Sequence, residues 1–108
     1  MNWYEKQLEQ HRKWSVKQKN FYGKLSYEEL RNKASEVASF INGQLCGDRY
    51  DYQDIFGDYG HITSLYLIQE VLNLKALAEN IENPADFFES TYELKIRDVD
   101  GPTQSATA

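Results

Sequence analysis

The stretch from His61 to Glu82, HITSLYLIQEVLNLKALAENIE, most limits what this chain can fold into. Placed at about 100° per residue, its apolar side chains cover most of the circumference of a helix. A helix that is apolar nearly all round is typical of a protein interior. Glu70, Asn73 and Lys75 interrupt the stretch, which is barely long enough to cross a bilayer, so we favour a buried helix over a membrane span. The sequence predicts a small all-α bundle of about four helices around this central helix.

Length and composition agree with one small folded domain. A chain of 108 residues, 41% hydrophobic and 27% charged, is long enough to bury a core and too apolar to be disordered. We expect a single helical domain over residues 1–101 and a loose polar tail over 102–108. The single cysteine, Cys46, excludes an internal disulfide, and no apolar leader is recognisable, so we expect a cytoplasmic protein.

Residues 3–25 have the pattern of a long amphipathic helix. One side carries Trp3, Tyr4, Leu8, His11, Trp14, Phe21, Tyr22 and Leu25. A narrow stripe near the opposite side carries Lys6, Lys13, Lys17 and Lys24. We expect the aromatic face to pack inward, the lysine stripe to face water, and His11 to be a hydrogen-bonded core histidine.

A second helix begins after Ser26. Ser26 and Glu29 have the spacing of a capping box, in which each side chain bonds the backbone amide of the other residue. The apolar face that follows consists of Leu30, Ala34, Val37, Ala38, Ile41 and Leu45. Gly43 or Gly47 marks the end. Because the connection before Ser26 is short, we expect the first two helices to pack as an antiparallel hairpin.

The segment 47–60, GDRYDYQDIFGDYG, alternates aspartates with large hydrophobic side chains between glycines. Five such side chains are too many to leave in water. We therefore expect a structured, acidic, tyrosine-rich connection, with one helical turn around Tyr52 to Phe56.

The final element is predicted from a start signal and a periodic pattern. Asn83 is placed as an N-cap and Pro84 as the first helical residue. Helical spacing then relates Phe88, Tyr92, Ile96 and Val99. Tyr92, Leu94 and Ile96 also alternate with charged residues, as in an edge strand. We favour a helix because no partner strand is recognisable elsewhere.

The net charge of −5 is divided unevenly along the chain. Residues 1–35 hold eight Lys/Arg and four Asp/Glu, or +4, whereas residues 36–108 hold four and thirteen, or −9. Such asymmetry suits a charged partner, and it also suits two ends that complement each other in the fold.

Few residues suggest metal or catalytic chemistry. Asp54, Asp58 and His61 have the spacing to meet on one helix face, but Gly57 and Gly60 make a continuous helix doubtful there. Helix capping and solvation explain these aspartates better, so we expect no metal and no cofactor. The sequence also has no nucleophile signature and no phosphate-binding loop, and we expect no enzymatic activity.

Protein binding is the function that the composition favours. Tyrosines beside carboxylates suit contact with a basic partner protein. We predict a small regulatory or inhibitory protein, with the contact residues Tyr50, Asp51, Tyr52, Asp54, Phe56, Asp58 and Tyr59. The opposing interpretation is that these tyrosines cover the open end of the bundle.

Two further possibilities depend on other parts of the chain. Nucleic acid could bind through the lysine stripe, Lys6, Lys13, Lys17 and Lys24, although the chain as a whole is acidic. A homodimer could bury whatever part of the central helix the other helices leave uncovered.

Overall fold

The computed structural model describes residues 2–47 and 49–88, and these residues form helices and connections without any β-strand. Three helices are long: α1 (Trp3–Gly23), α2 (Tyr27–Cys46) and α4 (His61–Ala78). Between the last two lies the five-residue α3 (Tyr52–Phe56), which confirms the helical turn predicted there. The helix predicted after Pro84 lies outside the described residues except for its first few, as does the tail over 102–108.

The capping box predicted at the start of α2 is confirmed. The Ser26 hydroxyl accepts a hydrogen bond from the Glu29 amide at 3.1 Å, and the Ser26 amide donates to the Glu29 carboxylate at 2.9 Å. One face of α2 is then buried along the helix, through Leu30, Ala34, Val37, Ala38 and Ile41. This is the face that the sequence predicts to be apolar.

The hydrophobic core lies between α2, α3 and α4. Its largest fully buried side chains are Leu30, Ile41, Ile55, Leu65, Ile68 and Leu72. The α2 and α4 helices run in opposite directions, because Tyr27 lies beside Ala85 after the end of α4, and Phe40 lies on His61 at its start. α4 contacts all three other helices and is the centre of the described fold.

α1 also packs on α4 and runs parallel to it. Lys19 Nζ lies 3.4 Å from the Glu70 carboxylate, and Lys75 Nζ donates to the Gly23 carbonyl at 2.9 Å. α1 and α2 therefore run antiparallel to each other, as predicted, but each packs mainly on α4 and only weakly on the other. The physical reason is that α4 is the most apolar helix and offers each of them more surface to bury.

α4 ends at Ala78, four residues earlier than the sequence predicts. Asn80 adopts the left-handed region with φ 55°. The amides of Asn80 and Ile81 then bond the carbonyls of Leu77 and Ala76 at 3.4 and 2.9 Å. This is a Schellman motif with asparagine in the position that glycine usually takes.

One face of α4 is only partly covered by the described residues, through the stacking of Phe88 on Tyr66. Tyr66, Leu74 and Leu77 are all exposed, so the prediction that this helix is buried all round is wrong. The three neighbouring helices lie on one part of its circumference only. Among the described residues, no helix combines the length and the apolar character needed to span a membrane.

The chain returns to the core at residues 85–88. Gln69, a buried polar side chain, donates to the Ala85 carbonyl at 2.7 Å and accepts from the Phe87 amide at 3.0 Å. The prediction that Asn83 is an N-cap is wrong, because its φ of 53° is left-handed rather than extended. Asp86 acts in its place, since its carboxylate accepts from the Phe88 amide at 3.0 Å.

Candidate protein-binding surface

The residues predicted to contact a partner lie on α3 and on the connections at its two ends. Asp51 is the N-cap of α3, and its carboxylate accepts from the amides of Gln53 and Asp54 at 2.9 and 3.3 Å. Asp51 therefore has a structural role in addition to its charge. Ile55 supplies the fully buried contact of α3 with the core.

Two of the predicted tyrosines form a cluster around one phenylalanine. Tyr52 stacks on Phe56 with ring centroids 4.9 Å apart, and Tyr50 lies 6.1 Å from the same ring. Phe56 is half-buried against the core, whereas the Tyr52 side of the cluster is open to solvent and Tyr52 is 62% exposed. The cluster thus presents an exposed tyrosine ring that is stacked on a half-buried phenylalanine.

The third tyrosine belongs to a different group of rings. Tyr59 makes an edge contact with Trp14 of α1 at 4.9 Å and lies 5.2 Å from the His11 ring. It remains about half exposed. The predicted surface therefore divides into the Tyr50, Tyr52 and Phe56 cluster and a second part that faces α1.

Two histidines hold the connection between α3 and α4. His11 Nε2 lies 2.7 Å from the Asp58 carbonyl, and His61 Nδ1 lies 2.9 Å from the Asp54 carbonyl. A carbonyl oxygen can only accept, so each of these ring nitrogens carries a proton and donates it. The expected hydrogen bond of His11 is confirmed, although its side chain is half-buried rather than in the core.

Two glycines let this connection fold tightly on α3. A Cβ atom on Gly60 would lie 2.8 Å from the Asp54 carbonyl oxygen and 2.9 Å from that of Ile55. A Cβ atom on Gly57 would come closer still to the Gln53 carbonyl oxygen. These glycines are required by close backbone approach, since neither has a positive φ.

Carboxylates line a shallow concave surface beside α3. Its lining consists of Asp51, Gln53, Asp54, Gly57, Asp58 and Tyr59. The carboxylate of Asp54 also lies 3.6 Å from His61 Nδ1. Within residues 2–47 and 49–88, no three His, Cys, Asp or Glu side chains are arranged to hold a metal ion.

The first two turns of α1 form an exposed apolar surface that the sequence interpretation missed. Trp3, Tyr4 and Leu8 are 73%, 63% and 53% exposed, and Phe21 near the other end is also exposed. The prediction that this whole face packs inward is therefore wrong; Tyr22 is the buried residue of α1. The reason is an offset: α1 begins well before the level of His11 and Asp58, where its contact with the rest of the fold starts.

This exposed surface continues into the acidic one. A groove beside the start of α1 is lined by Trp3, Tyr4, Gln7, Leu8, His11 and Asp58. Asp58 also lines the concave surface beside α3. The two surfaces therefore meet at this residue, with aromatic side chains on one side of it and carboxylates on the other.

The lysine stripe on α1 faces water, as predicted. Lys6, Lys13, Lys17 and Lys24 are exposed. On the same helix, Arg12 bonds the Glu9 carboxylate at 2.7 Å and lowers the pKa of Glu9. The stripe lies away from the face of α1 that packs on α4.

Comparisons of this chain with protein-family models, with curated proteins and with solved structures found no match. Any functional assignment therefore depends on the residues and geometry of the chain itself.

Proposed function

We propose that this chain is a non-enzymatic regulatory or inhibitory protein that binds another protein through the surface formed by Tyr50–Tyr59. One observation supports it above the others: Tyr52 and Tyr59 stand exposed beside the exposed carboxylates of Asp54 and Asp58. The segment that carries them is fixed by Ile55 in the core and by two histidine hydrogen bonds. A surface that is fixed before binding loses less entropy when a partner docks.

The chemistry of the surface indicates the kind of partner. Tyrosine contributes a large contact area with few rotatable bonds, and for this reason it is common at binding hot spots. The neighbouring carboxylates favour a partner with lysine or arginine side chains, and they would speed its approach at low salt. We infer a basic protein surface, which includes the surfaces of nucleic-acid-binding proteins.

The exposed thiol of Cys46 fits the cytoplasmic location that we propose. It is a free cysteine on the last residue of α2. An exposed free thiol is better tolerated where the surroundings are reducing.

A matched pair of tyrosines tests the contact surface. Tyr52 is 62% exposed and stacks on Phe56, whereas Tyr66 on α4 is 57% exposed and stacks on Phe88. Tagged wild type, Tyr52→Ser and Tyr66→Ser chains would be used for capture from a nuclease-treated lysate, followed by mass spectrometry. We expect Tyr52→Ser to lose a protein that wild type and Tyr66→Ser both retain.

Two double charge-reversal variants test whether binding requires the carboxylates of the proposed surface. Asp54→Lys with Asp58→Lys changes the proposed surface, whereas Glu79→Lys with Glu82→Lys makes the same change beyond the far end of α4, about 27 Å away along the helix. We expect only the first pair to abolish capture. The proposal fails if the two pairs act alike, or if loss of capture is accompanied by a lower melting temperature.

Nucleic-acid binding through α1 is the second candidate. It is favoured by the exposure of all four stripe lysines along about 27 Å of helix, a length that spans several phosphates. Lys13→Glu with Lys17→Glu should abolish a band shift with duplex DNA. The control variant, Arg31→Glu with Arg49→Glu, makes the same change in charge away from α1 and should still bind the DNA. Unchanged binding by the lysine variant would exclude this candidate function.

A further inference from the structure

The chain turns back after α4, and residues 85–88 then lie against both α2 and α4. Side chains of these two helices bind the backbone of this segment, which we call the strap. The Ala85 amide donates to the Tyr27 hydroxyl of α2 at 3.0 Å, and the Ala85 carbonyl accepts from Gln69 of α4 at 2.7 Å. Phe88, at the end of the strap, is buried. α2 and α4 therefore form a specific docking site for this segment.

A short hinge, residues 79–84, connects α4 to the strap in a conformation that its sequence does not favour. Asn80 and Asn83 are both left-handed, with φ of 55° and 53°. Asparagine adopts this region more readily than most residues, but it remains uncommon. Asn83 also precedes Pro84, and the residue before a proline prefers an extended backbone. The hinge is therefore a strained turn, which the docked strap holds in place.

The sequence of the hinge favours a second conformation. The helical pattern of α4 continues through Ile81 to Glu82, although the helix ends at Ala78. Pro84 does not oppose a helix over residues 79–82, since it disfavours helical backbone only in the residue just before it. With α4 extended to Glu82, the strap would begin beyond the helix end, about 20 Å along the axis from Gln69. It could then no longer reach the docking site of its own chain.

A second copy of the chain has the docking site that the structure shows to fit the strap. We propose that two copies exchange their straps. α4 of each copy continues to Glu82, and residues 85–88 dock on α2 and α4 of the other copy about a two-fold axis. The strap makes the same contacts in both forms, so the forms differ in the hinge and in the cost of association. Strained, short hinges are the sites at which such exchange is most favoured.

The history of the sample distinguishes strap exchange from contact between exposed surfaces. Wild-type chain refolded from urea at about 500 micromolar should contain a dimer of twice 12.6 kDa. Chain refolded at about 1 micromolar and then concentrated to the same value should stay monomeric for hours, because a docked strap must leave its site before it can exchange. The isolated dimer should likewise persist on dilution. Size-exclusion chromatography with light scattering measures the mass of each sample.

Substitutions at Asn80 test the hinge, after equilibration just below the melting temperature. Asn80→Ala disfavours the left-handed turn and favours a helix, so it should lower the dissociation constant of the dimer about tenfold for each of the two hinges. Asn80→Gly should raise this constant, because glycine adopts the left-handed region without steric cost and is unfavourable in a helix. The matched control is Asn20→Ala, at an exposed asparagine inside α1, which should change nothing. Asn80 is also exposed, so each variant should keep the helix content of the wild type.

Three results would each overturn the exchange. A wild type that is monomeric after refolding at both concentrations excludes it. A dimer that forms as soon as the folded chain is concentrated, and dissociates at once on dilution, is a contact between exposed surfaces. Equal effects of Asn80→Ala and Asn80→Gly on the dissociation constant would show that the hinge does not control association.

Discussion

α1 and α2 are nearly the same length and both pack on α4, yet they contribute differently to the molecule. α2 buries five side chains along one face, from Leu30 to Ile41. α1 buries Tyr22 and leaves Trp3, Tyr4 and Leu8 in solvent. The contrast shows that an amphipathic pattern identifies a face that can bind, without showing whether the fold itself or another molecule will cover it.

The largest expected difference between the two helices is in their leucines. Leu30→Ala removes a fully buried side chain and should lower the free energy of unfolding by about 2–5 kcal/mol. Leu8→Ala, on a leucine that is half exposed, should change it by less than about 0.5 kcal/mol. Urea denaturation at low protein concentration measures both. Equal losses would show that the start of α1 is part of the folding core.

The N-caps of α1 and α2 should differ in how much they contribute to the stability of the whole protein. Ser26→Ala removes the side-chain cap of α2 and should cost about 1 kcal/mol of global stability. Asn2 caps α1 in the same way, accepting from the Glu5 amide at 2.8 Å, but that end of the helix makes few contacts with the fold. Asn2→Ala should therefore fray α1 locally, with faster hydrogen exchange at residues 5–9 and little change in urea midpoint. A global loss equal to that of Ser26→Ala would contradict this separation.

Substitution of the buried tyrosine of α1 tests how much its hydrogen bond contributes to the packing of α1 on α4. Tyr22 is buried, which raises the pKa of its hydroxyl, and that hydroxyl is hydrogen-bonded to Ser64 on α4. Tyr22→Phe keeps the ring and should cost about 0.5–1.5 kcal/mol in chemical denaturation. The matched change Tyr4→Phe alters an exposed tyrosine on the same face and should be neutral. A neutral Tyr22→Phe would mean that packing alone attaches α1 to α4.

Acid should weaken the start of α2 by protonating Glu29. The hydrogen bond from the Ser26 amide lowers the pKa of Glu29 below its usual value of 4.5. A group with a lowered pKa in the folded state stabilises the protein above its unfolded pKa, and this stabilisation is lost as the pH falls through the folded value. Thermal melts of wild type and Glu29→Gln should therefore differ at neutral pH and converge below pH 4.5. A difference between the two chains that stays constant across this pH range would contradict the assignment.

A local signal predicted the start of α2. Ser26 and Glu29 define the start of α2 because both halves of a capping box are within one turn. Gly57 and Gly60 also indicated that a helix would not continue through this part of the chain, and the structure has a connection there between α3 and α4. The early end of α4 was less visible, because the signal is a single asparagine, Asn80, in a position where glycine is the usual mark.

Contacts between helices were predicted less well than the helices themselves. Periodicity shows which face of α1 is apolar, but it contains no information on where α4 begins beside it. The exposure of Tyr4 and Leu8 follows from that offset. The short connection before Ser26 likewise shows that α2 reverses direction, but not that α1 and α2 pack mainly on α4 rather than on each other.

The two histidine hydrogen bonds connect the proposed contact surface to two different helices. His11 on α1 donates to Asp58 in the connection between α3 and α4, and His61 on α4 donates to Asp54 of α3. These bonds link α3 and the connection after it to both α1 and α4. If the proposed partner shifts this segment when it binds, occupancy of the tyrosine surface and the position of α1 are coupled, and each affects the other by the same free energy.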